Sequence, residues 1–128
     1  MANVYISSHD KAAAQSLAKF INESGYIVVS TWHDDPDGPK LDLSDVRGWD
    51  RRAKRNRSQI DNADATVLIA CPEGTPPPTG GKFVEAGFAL GLGRPVIVFG
   101  RIENGMLNDL DVKQAKTEED LIDLLDEI

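Results

Sequence analysis

One short segment between two predicted strands holds the residues best suited to chemistry. Thr79, Gly80 and Gly81 stand directly before a predicted helix. Backbone N–H groups and the positive end of the dipole favour an anion there, and glycine lets it approach closely, so phosphate is a candidate ligand. A capping threonine followed by a glycine turn explains the same residues without a ligand.

Glu85 lies in the first turns of the same helix, within a largely apolar stretch. The helix dipole favours a carboxylate there whether or not it reacts. A carboxylate in an apolar setting at a ligand crevice also suits nucleophilic or acid–base work. Glu85 is therefore the candidate catalytic group.

The elements that must position these residues alternate between strands and helices. Strands are predicted at 3–7, 26–31, 65–71, 95–99 and 111–115, with helices over 13–21, 50–62, 82–92 and 117–128. Apolar strands of this kind are typical of a parallel sheet covered on both faces. We expect a single α/β domain over residues 1–128, with a doubly wound, flavodoxin-like or Rossmann-like open parallel sheet of about five strands in the order 2-1-3-4-5.

That strand order predicts where a ligand binds. The crevice of such a sheet opens at the carboxyl ends of the strands, where the winding reverses between the first and third strands. The loop that begins with Ser7, Ser8 and His9 is expected to meet the loop over 72–82 at this place. Ser7 and Ser8 would supply hydroxyl donors.

A long segment over 31–47 has no periodicity and is predicted to be a lid or binding loop. Trp32 at its edge either stacks on a flat ring or pins the loop to the body of the domain. His33, Asp34 and Asp35 follow it and are further candidates to face a ligand.

Composition and charge narrow the function classes. The chain has 128 residues and a single cysteine, Cys71, which excludes an internal disulfide and a four-cysteine zinc site. Its net charge of -7 argues against a nucleic acid polymer as partner. No apolar run approaches the ~20 residues of a membrane span. We find no secretory signal and expect a cytoplasmic protein with neither a metal nor a cofactor.

Basic side chains crowd one short stretch of this acidic chain. A solvated helix face explains them, and a small phosphorylated ligand is the alternative. The residues concerned are Arg47, Arg51, Arg52, Lys54, Arg55 and Arg57.

Three segments together resemble the nucleoside 2-deoxyribosyltransferase superfamily, including its branch of deoxynucleoside 5′-monophosphate N-glycosidases. They read VYISS, IDNADATVLIA and TGGKFVEAGFALGLGRPVIVFG. The resemblance implies that Glu85 is the nucleophile and that Tyr5 orients it. It implies cleavage of the N-glycosidic bond of a 2′-deoxynucleoside or its 5′-monophosphate, through a glycosyl ester that water or another base resolves.

Two positions bear on the branch and on activity. Six residues before the nucleophile, transferases tend to carry an aspartate and the monophosphate glycosidases a serine, so Thr79 favours the hydrolase branch. Asn56 stands where the family usually has a catalytic aspartate, and an amide supplies no carboxyl proton. Asp50 and Asp61 are candidates to replace that acid. A non-catalytic nucleotide-binding or sensor domain of the same fold is the alternative.

The resemblance also implies a homodimer or higher homo-oligomer, in which a neighbour's loop completes each pocket. Residues 101–110 are the candidate loop, with Asn104 as a substrate contact. Met106 and Leu107 in this loop pack either inward or against a partner. The expected ligand is a small-molecule nucleoside or nucleotide.

Overall fold

The computed structural model describes residues 2–35, 44–74, 80–109 and 111–128. Its helices and strands, in chain order, are β1 (Asn3–Ser7), α1 (Lys11–Glu23), β2 (Ile27–Val28), α2 (Val46–Asp61), β3 (Ala65–Ile69), α3 (Gly81–Gly91), β4 (Val96–Phe99), β5 (Val112–Ala115) and α4 (Glu118–Asp126). Short 3₁₀ helices cover Trp32–Asp34 and Gly105–Asn108.

The strands form one parallel sheet in the order β2-β1-β3-β4-β5, which confirms the predicted fold and strand order. β2 is shorter than expected, although the Val29 N–H still donates to the Val4 carbonyl. α2 begins earlier than expected because the Asp45 carboxylate caps it, accepting from the Gly48 N–H at 2.9 Å. The middle of the predicted long loop, 36–43, lies outside the described residues.

Alternation along β1 sends its side chains into two different layers. Val4 and Ile6 are buried against residues of α1 and α4. Tyr5 is buried on the opposite face, in the cluster that includes residues of α2 and α3. Because side chains two apart in a strand share a face, Ser7 points to the same helices as Tyr5.

α3 turns one stripe of side chains toward that face of the sheet. Lys82, Ala86 and Ala89 are buried at helical spacing, and Glu85 is half-buried on the same stripe. In a strand–helix–strand crossover the helix runs back against the strand direction, so α3 starts at the carboxyl edge of the sheet. Glu85 is thereby brought to the end of β1.

The helix ends match their sequence signals. Gly25, which follows α1, has a φ of 95°, the left-handed conformation that glycine accommodates without strain. The Thr117 hydroxyl caps α4 by accepting from the Asp120 N–H at 3.1 Å, as predicted. No helix among the described residues is long and apolar enough to cross a bilayer.

Candidate active site

The Glu85 carboxylate is hydrogen-bonded on both oxygens. The Tyr5 hydroxyl donates to Oε2 at 2.7 Å, and the Ser7 hydroxyl donates to Oε1 at 2.8 Å. Both donors are fully buried, whereas Glu85 is half-buried. Two hydroxyl donors fix the plane of the carboxylate, and such bonds to a charged acceptor are the stronger kind.

Tyr5 acts in this pair as a neutral donor. Burial raises the pKa of its hydroxyl far above the usual range, and the charge and hydrogen bond of Glu85 raise it further. The positive charge of Arg55 has a smaller opposing effect. Tyr5 therefore keeps its proton well above neutral pH, and the oxygen of Glu85 accepts it in a hydrogen bond.

The start of α3 has the backbone expected of an anion site. Gly80 has a φ of 99°, a left-handed conformation that favours glycine. No side chain of the described residues caps the helix, and Gly81 at its first position is exposed. Such uncapped first-turn N–H groups suit an anionic ligand. Thr79 lies outside the described residues, so its proposed phosphate contact stays a prediction.

The buried ammonium group of Lys82 links α3 to the chain that follows the strands. The Lys82 side chain donates to the Ile69 carbonyl at 3.2 Å and pairs with Oε1 of Glu103 at 2.5 Å. It also lies 3.4 Å from Sγ of Cys71, which in turn lies 3.2 Å from Nδ1 of His9. This network joins the segments that follow β1, β3 and β4. The segments after β1 and β3 were expected to meet.

The Lys82–Glu103 pair was missed by the sequence analysis, although half of its signal was present. Lys82 precedes Glu85 by three residues, so the two share one helix face. A lysine on an inward face needs a buried acceptor. Nothing in the sequence marks Glu103, beyond β4, as that acceptor.

Asn56 is half-buried on α2, the helix that packs against α3. Its Oδ1 accepts a hydrogen bond from Nε of Arg55 at 3.2 Å. Nη1 of Arg55 in turn pairs with both carboxylate oxygens of Asp35, at 3.2 and 2.9 Å. From the sequence, Arg55 is predicted only as a member of a basic cluster, and nothing there marks Asp35 as its partner.

The two carboxylates considered as substitutes for the missing acid lie elsewhere. Asp50 is exposed and pairs with Lys54 at 2.9 Å along the surface of α2. Asp61 pairs with Arg94 at 3.6 Å, where α2 ends and β3 and β4 begin. That is the amino edge of the sheet, opposite to Glu85. The expectation that Asp61 replaces the acid is therefore wrong, whereas the same expectation for Asp50 stays a prediction.

Two other predicted substrate contacts have structural partners. The Ser8 hydroxyl accepts from the Asp10 N–H at 3.0 Å, in the turn before α1. Trp32 is half-buried, and its indole N–H donates to the Ile6 carbonyl at 2.7 Å, which pins the loop to the sheet. Contacts of Ser8 and Trp32 with substrate stay predictions.

The two apolar side chains of the loop after β4 differ in burial. Leu107 is buried against the sheet, whereas Met106 is 84% exposed. Oδ1 of Asn104 accepts from the Met106 N–H at 2.9 Å and begins the 3₁₀ helix. Asn104 itself is exposed, so its predicted substrate contact stays a prediction.

Solved structures share this fold. The CMP N-glycosidase from Clostridium botulinum aligns with a TM-score of 0.63 and 17% identity over 97% of this chain and 98% of that chain. A 2-deoxyribosyltransferase from Bacillus psychrosaccharolyticus aligns with a TM-score of 0.68 and 21% identity over 93% and 89%. A 2-deoxyribosyltransferase from Leishmania mexicana gives 0.52 and 17% over 89% and 74%.

Sequence comparison agrees with the fold. No curated protein matches this chain at a significant level of sequence similarity. The model of the nucleoside 2-deoxyribosyltransferase family matches residues 2–121, nearly the whole chain and all of the elements that build the site. The chain belongs to the nucleoside 2-deoxyribosyltransferase family.

Proposed function

We propose that this protein cleaves the N-glycosidic bond of a 2′-deoxynucleoside or its 5′-monophosphate through a covalent glycosyl ester on Glu85. The observation that carries the proposal is the carboxylate of Glu85, held on both oxygens by Tyr5 and Ser7. It lies at the carboxyl edge beside β1 and β3, where doubly wound sheets bind ligands. Family membership supports the same class of reaction.

The geometry suits nucleophilic attack. A carboxylate oxygen accepts two hydrogen bonds, so each oxygen of Glu85 keeps electron density for C1′ of the sugar after binding Tyr5 or Ser7. The O–C1′ bond forms as the C1′–N bond breaks, and the base leaves with the electron pair. Water then resolves the ester in a hydrolase, or a second base resolves it in a transferase. The two buried donors hold the nucleophile in one orientation.

The start of α3 is the proposed site of a 5′-phosphate. Gly80 and Gly81 lie one turn before Glu85, so a phosphate there places the attached sugar near the carboxylate. Together with Thr79 they favour hydrolysis of a monophosphate over base exchange. Asn104 of a neighbouring subunit is the proposed additional contact.

A nucleotide-binding domain without turnover is the second candidate. Asn56 favours it, because an amide cannot protonate the departing base. The buried Tyr5–Glu85 hydrogen bond favours the enzyme, because a binding protein gains nothing from a half-buried carboxylate held on both oxygens.

Base release from a panel of substrates tests the proposal. The wild-type protein is incubated with deoxynucleosides and their 5′-monophosphates, with and without acceptor bases, and free base is measured by chromatography. Glu85→Gln, which keeps the shape of the side chain, should lose at least about 10³-fold of the rate. Glu119→Gln, an exposed change on α4, is the matched control and should retain the full rate.

Two outcomes would contradict the enzyme. Base release by Glu85→Gln at the wild-type rate would remove Glu85 from the reaction. No base release by the wild-type protein, with calorimetric binding of a monophosphate, would establish the binding domain instead. A 2′-fluoro-arabinonucleoside, whose ester breaks down slowly, should add the mass of the fluorinated sugar to a peptide containing Glu85.

A further inference from the structure

The inward face of α2 becomes polar toward the carboxyl edge of the sheet. Ile60, near the end of the helix, is buried in the core. Residues of the same face nearer the start are half-buried and polar: Arg52, Arg55, Asn56 and Gln59. A helix that packs against a sheet normally turns an apolar stripe toward it. The polar stretch therefore faces something other than the core.

A pocket of about 430 Å³ opens beside this stretch. It is lined by Gly48, Arg51, Arg52 and Arg55. Gly48 is buried and contributes no side chain, which leaves room, while three arginines line the space. Of these, Arg55 is paired with Asp35, and the guanidinium of Arg52 lies over the Trp49 ring. In a protein with a net charge of -7, this local excess of positive charge favours a negatively charged occupant.

Arg55 determines which end of the Asn56 amide is available. An N–H donor is accepted only by the amide oxygen, so the 3.2 Å bond from Nε of Arg55 occupies Oδ1. The Asp35 carboxylate holds the other side of the guanidinium and fixes its orientation. Nδ2 of Asn56 has no partner among the described residues. The amide therefore presents two N–H donors.

Arg55 and Asn56 lie on the face of α2 that packs toward Tyr5 and Glu85. Ile60, one turn after Asn56 on that face, is buried in the same cluster as Tyr5, and α2 packs against α3, which carries Glu85. The charge of Arg55 lowers the pKa of Tyr5, against the larger raising effects of burial and of Glu85. Tyr5 holds the carboxylate of Glu85 directly. The arginine pocket, Arg55 and the Tyr5–Glu85 pair are thus neighbouring parts of a single electrostatic environment.

The proposed reaction needs a group that protonates the departing base or stabilises its charge, and Asn56 supplies no proton for it. A departing base takes the electron pair of the C1′–N bond, and it must be protonated or its charge must be stabilised. Asn56 supplies no carboxyl proton, and a guanidinium does not give up its proton near neutral pH. A fixed positive charge beside the base is the remaining way to stabilise it as it departs.

We propose that Arg55 and Asn56 form the leaving-group side of the site, where the base departs as an anion into the arginine pocket. This inference rests on the proposed function of Glu85. Asn56 donates to an acceptor atom next to the glycosidic nitrogen, and Arg55 fixes the amide and places its positive charge beside the departing base, where it stabilises the developing negative charge. A 2-oxopyrimidine fits best, because its carbonyl oxygen adjoins that nitrogen and carries much of the charge of the anion.

The step balances without a catalytic acid. Oε of Glu85 bonds to C1′ as the C1′–N bond breaks, and the pair passes to the base. Water attacks C1′ in the second step, releases Glu85 as a carboxylate and loses one proton. The base anion takes one proton from solvent, so the products are the free sugar and the neutral base.

A graded series of leaving groups tests this. 2′-Deoxyuridine 5′-monophosphates with fluorine, hydrogen or methyl at C5 release bases of decreasing acidity. Arg55→Gln should lose about 10²-fold in kcat/KM on the methyl substrate and clearly less on the fluoro substrate. Arg55→Lys keeps the charge and should retain the shallower dependence. Arg57→Gln, an exposed change on the same helix, is the control.

Asn56→Asp gives a second, independent readout. The new carboxyl group can protonate the base, so the rate of this variant should fall as the pH rises through the pKa of that group. Asn56 introduces no such dependence in the wild-type protein.

The substrate class is tested on the wild-type protein. Purine monophosphates should be poorer substrates than the pyrimidines. Circular dichroism confirms that each variant is folded.

The outcomes separate this inference from the proposed function. An equal loss by Arg55→Gln on all three pyrimidines means a structural role, which overturns the inference while Glu85 remains the nucleophile. A preference for purines overturns the assigned substrate class. Absence of base release from every substrate overturns the proposed function and this inference together.

Discussion

Tyr5 and Glu85 are separated by 80 positions in the chain, yet the tyrosine hydroxyl donates a 2.7 Å hydrogen bond to Oε2 of the glutamate. The bond lies between the first strand of the sheet and the helix after the third. It exists because β1 pairs directly with β3 and because α3 packs back over both strands. A buried neutral donor is thereby fixed on the proposed nucleophile.

Replacing Tyr5 with phenylalanine should lower kcat more than it raises KM. The carboxylate of Glu85 loses one of its two donors and becomes free to rotate, which should cost about 10- to 100-fold in rate. Steady-state kinetics on the best substrate of the panel measures the loss. Tyr26→Phe is the matched control and should leave the rate unchanged, since Tyr26 lies between α1 and β2, away from Glu85. A Tyr5→Phe enzyme with full kcat would show that Ser7 alone positions the carboxylate.

The same variant should alter alkaline stability. Because the pKa of Tyr5 is raised in the folded state, the unfolded chain loses this proton first as the pH rises above about 10. The contribution to the free energy of unfolding is fully present below that pH and declines above it. Urea denaturation at pH 9 and pH 11 should therefore show a smaller loss for Tyr5→Phe than for the wild type. Equal losses would contradict the raised pKa.

Lys82 and Glu103 should be strongly coupled in stability. Lys82→Met leaves the nearly buried Glu103 carboxylate with only the more distant Arg101 guanidinium at 3.9 Å, which should cost about 3 kcal/mol in the free energy of unfolding. The double variant Lys82→Met with Glu103→Leu removes both charges and should recover most of that loss. Urea denaturation of the four proteins of this cycle measures the coupling. Additive effects of the two single changes would mean that the pair contributes nothing specific.

The start of α3 should confer a preference for 5′-monophosphates over nucleosides. Thr79→Val removes one proposed donor to the phosphate and should reduce the ratio of the two kcat/KM values by about 10-fold. Thr117→Val removes a capping hydroxyl from α4 and should leave this ratio unchanged. Equal affinity of the wild-type protein for nucleoside and monophosphate would refute the phosphate site.

Assembly should be visible in solution. Met106 is 84% exposed and Val84 is 74% exposed, so both offer apolar surface that a second copy of the chain can cover. Light scattering should report at least a homodimer, and Met106→Lys should weaken it. Asn104→Ala should lower activity without changing the fold of the protomer, while Asn62→Ala at the amino edge should not. A monomer with full activity would mean that one chain builds the whole pocket.

Glu85 contributes more to stability than its place at a helix start implies. From its position at a helix start, removal of the side chain should cost under about 1 kcal/mol, the value of a lost dipole interaction. Glu85 is in fact the acceptor for two fully buried hydroxyls, and Glu85→Ala leaves both without this partner. An unsatisfied buried donor costs about 1–3 kcal/mol, so Glu85→Ala should be the less stable variant and Glu85→Gln the better test of chemistry.

The sequence alone determined the features that depend on local pattern. Apolar runs and helical spacing predicted the strand and helix order, and from that order a ligand crevice beside β1 and β3 is predicted. The motif around Glu85 then indicated the proposed nucleophile and, with Tyr5, the family. Each of these signals lies within a stretch of about 30 residues or in the order of such stretches, so no through-space information was needed.

Only the tertiary structure decided which of these side chains meet. Ser7 and Ser8 are the same residue type at adjacent positions, but alternation along β1 turns Ser7 to Glu85 while Ser8 enters the turn before α1. The partners of Lys82 and Arg55 lie on separate loops. Such pairings depend on how the elements pack, because distances between residues far apart in the chain are set by the whole fold and leave no local periodicity to read.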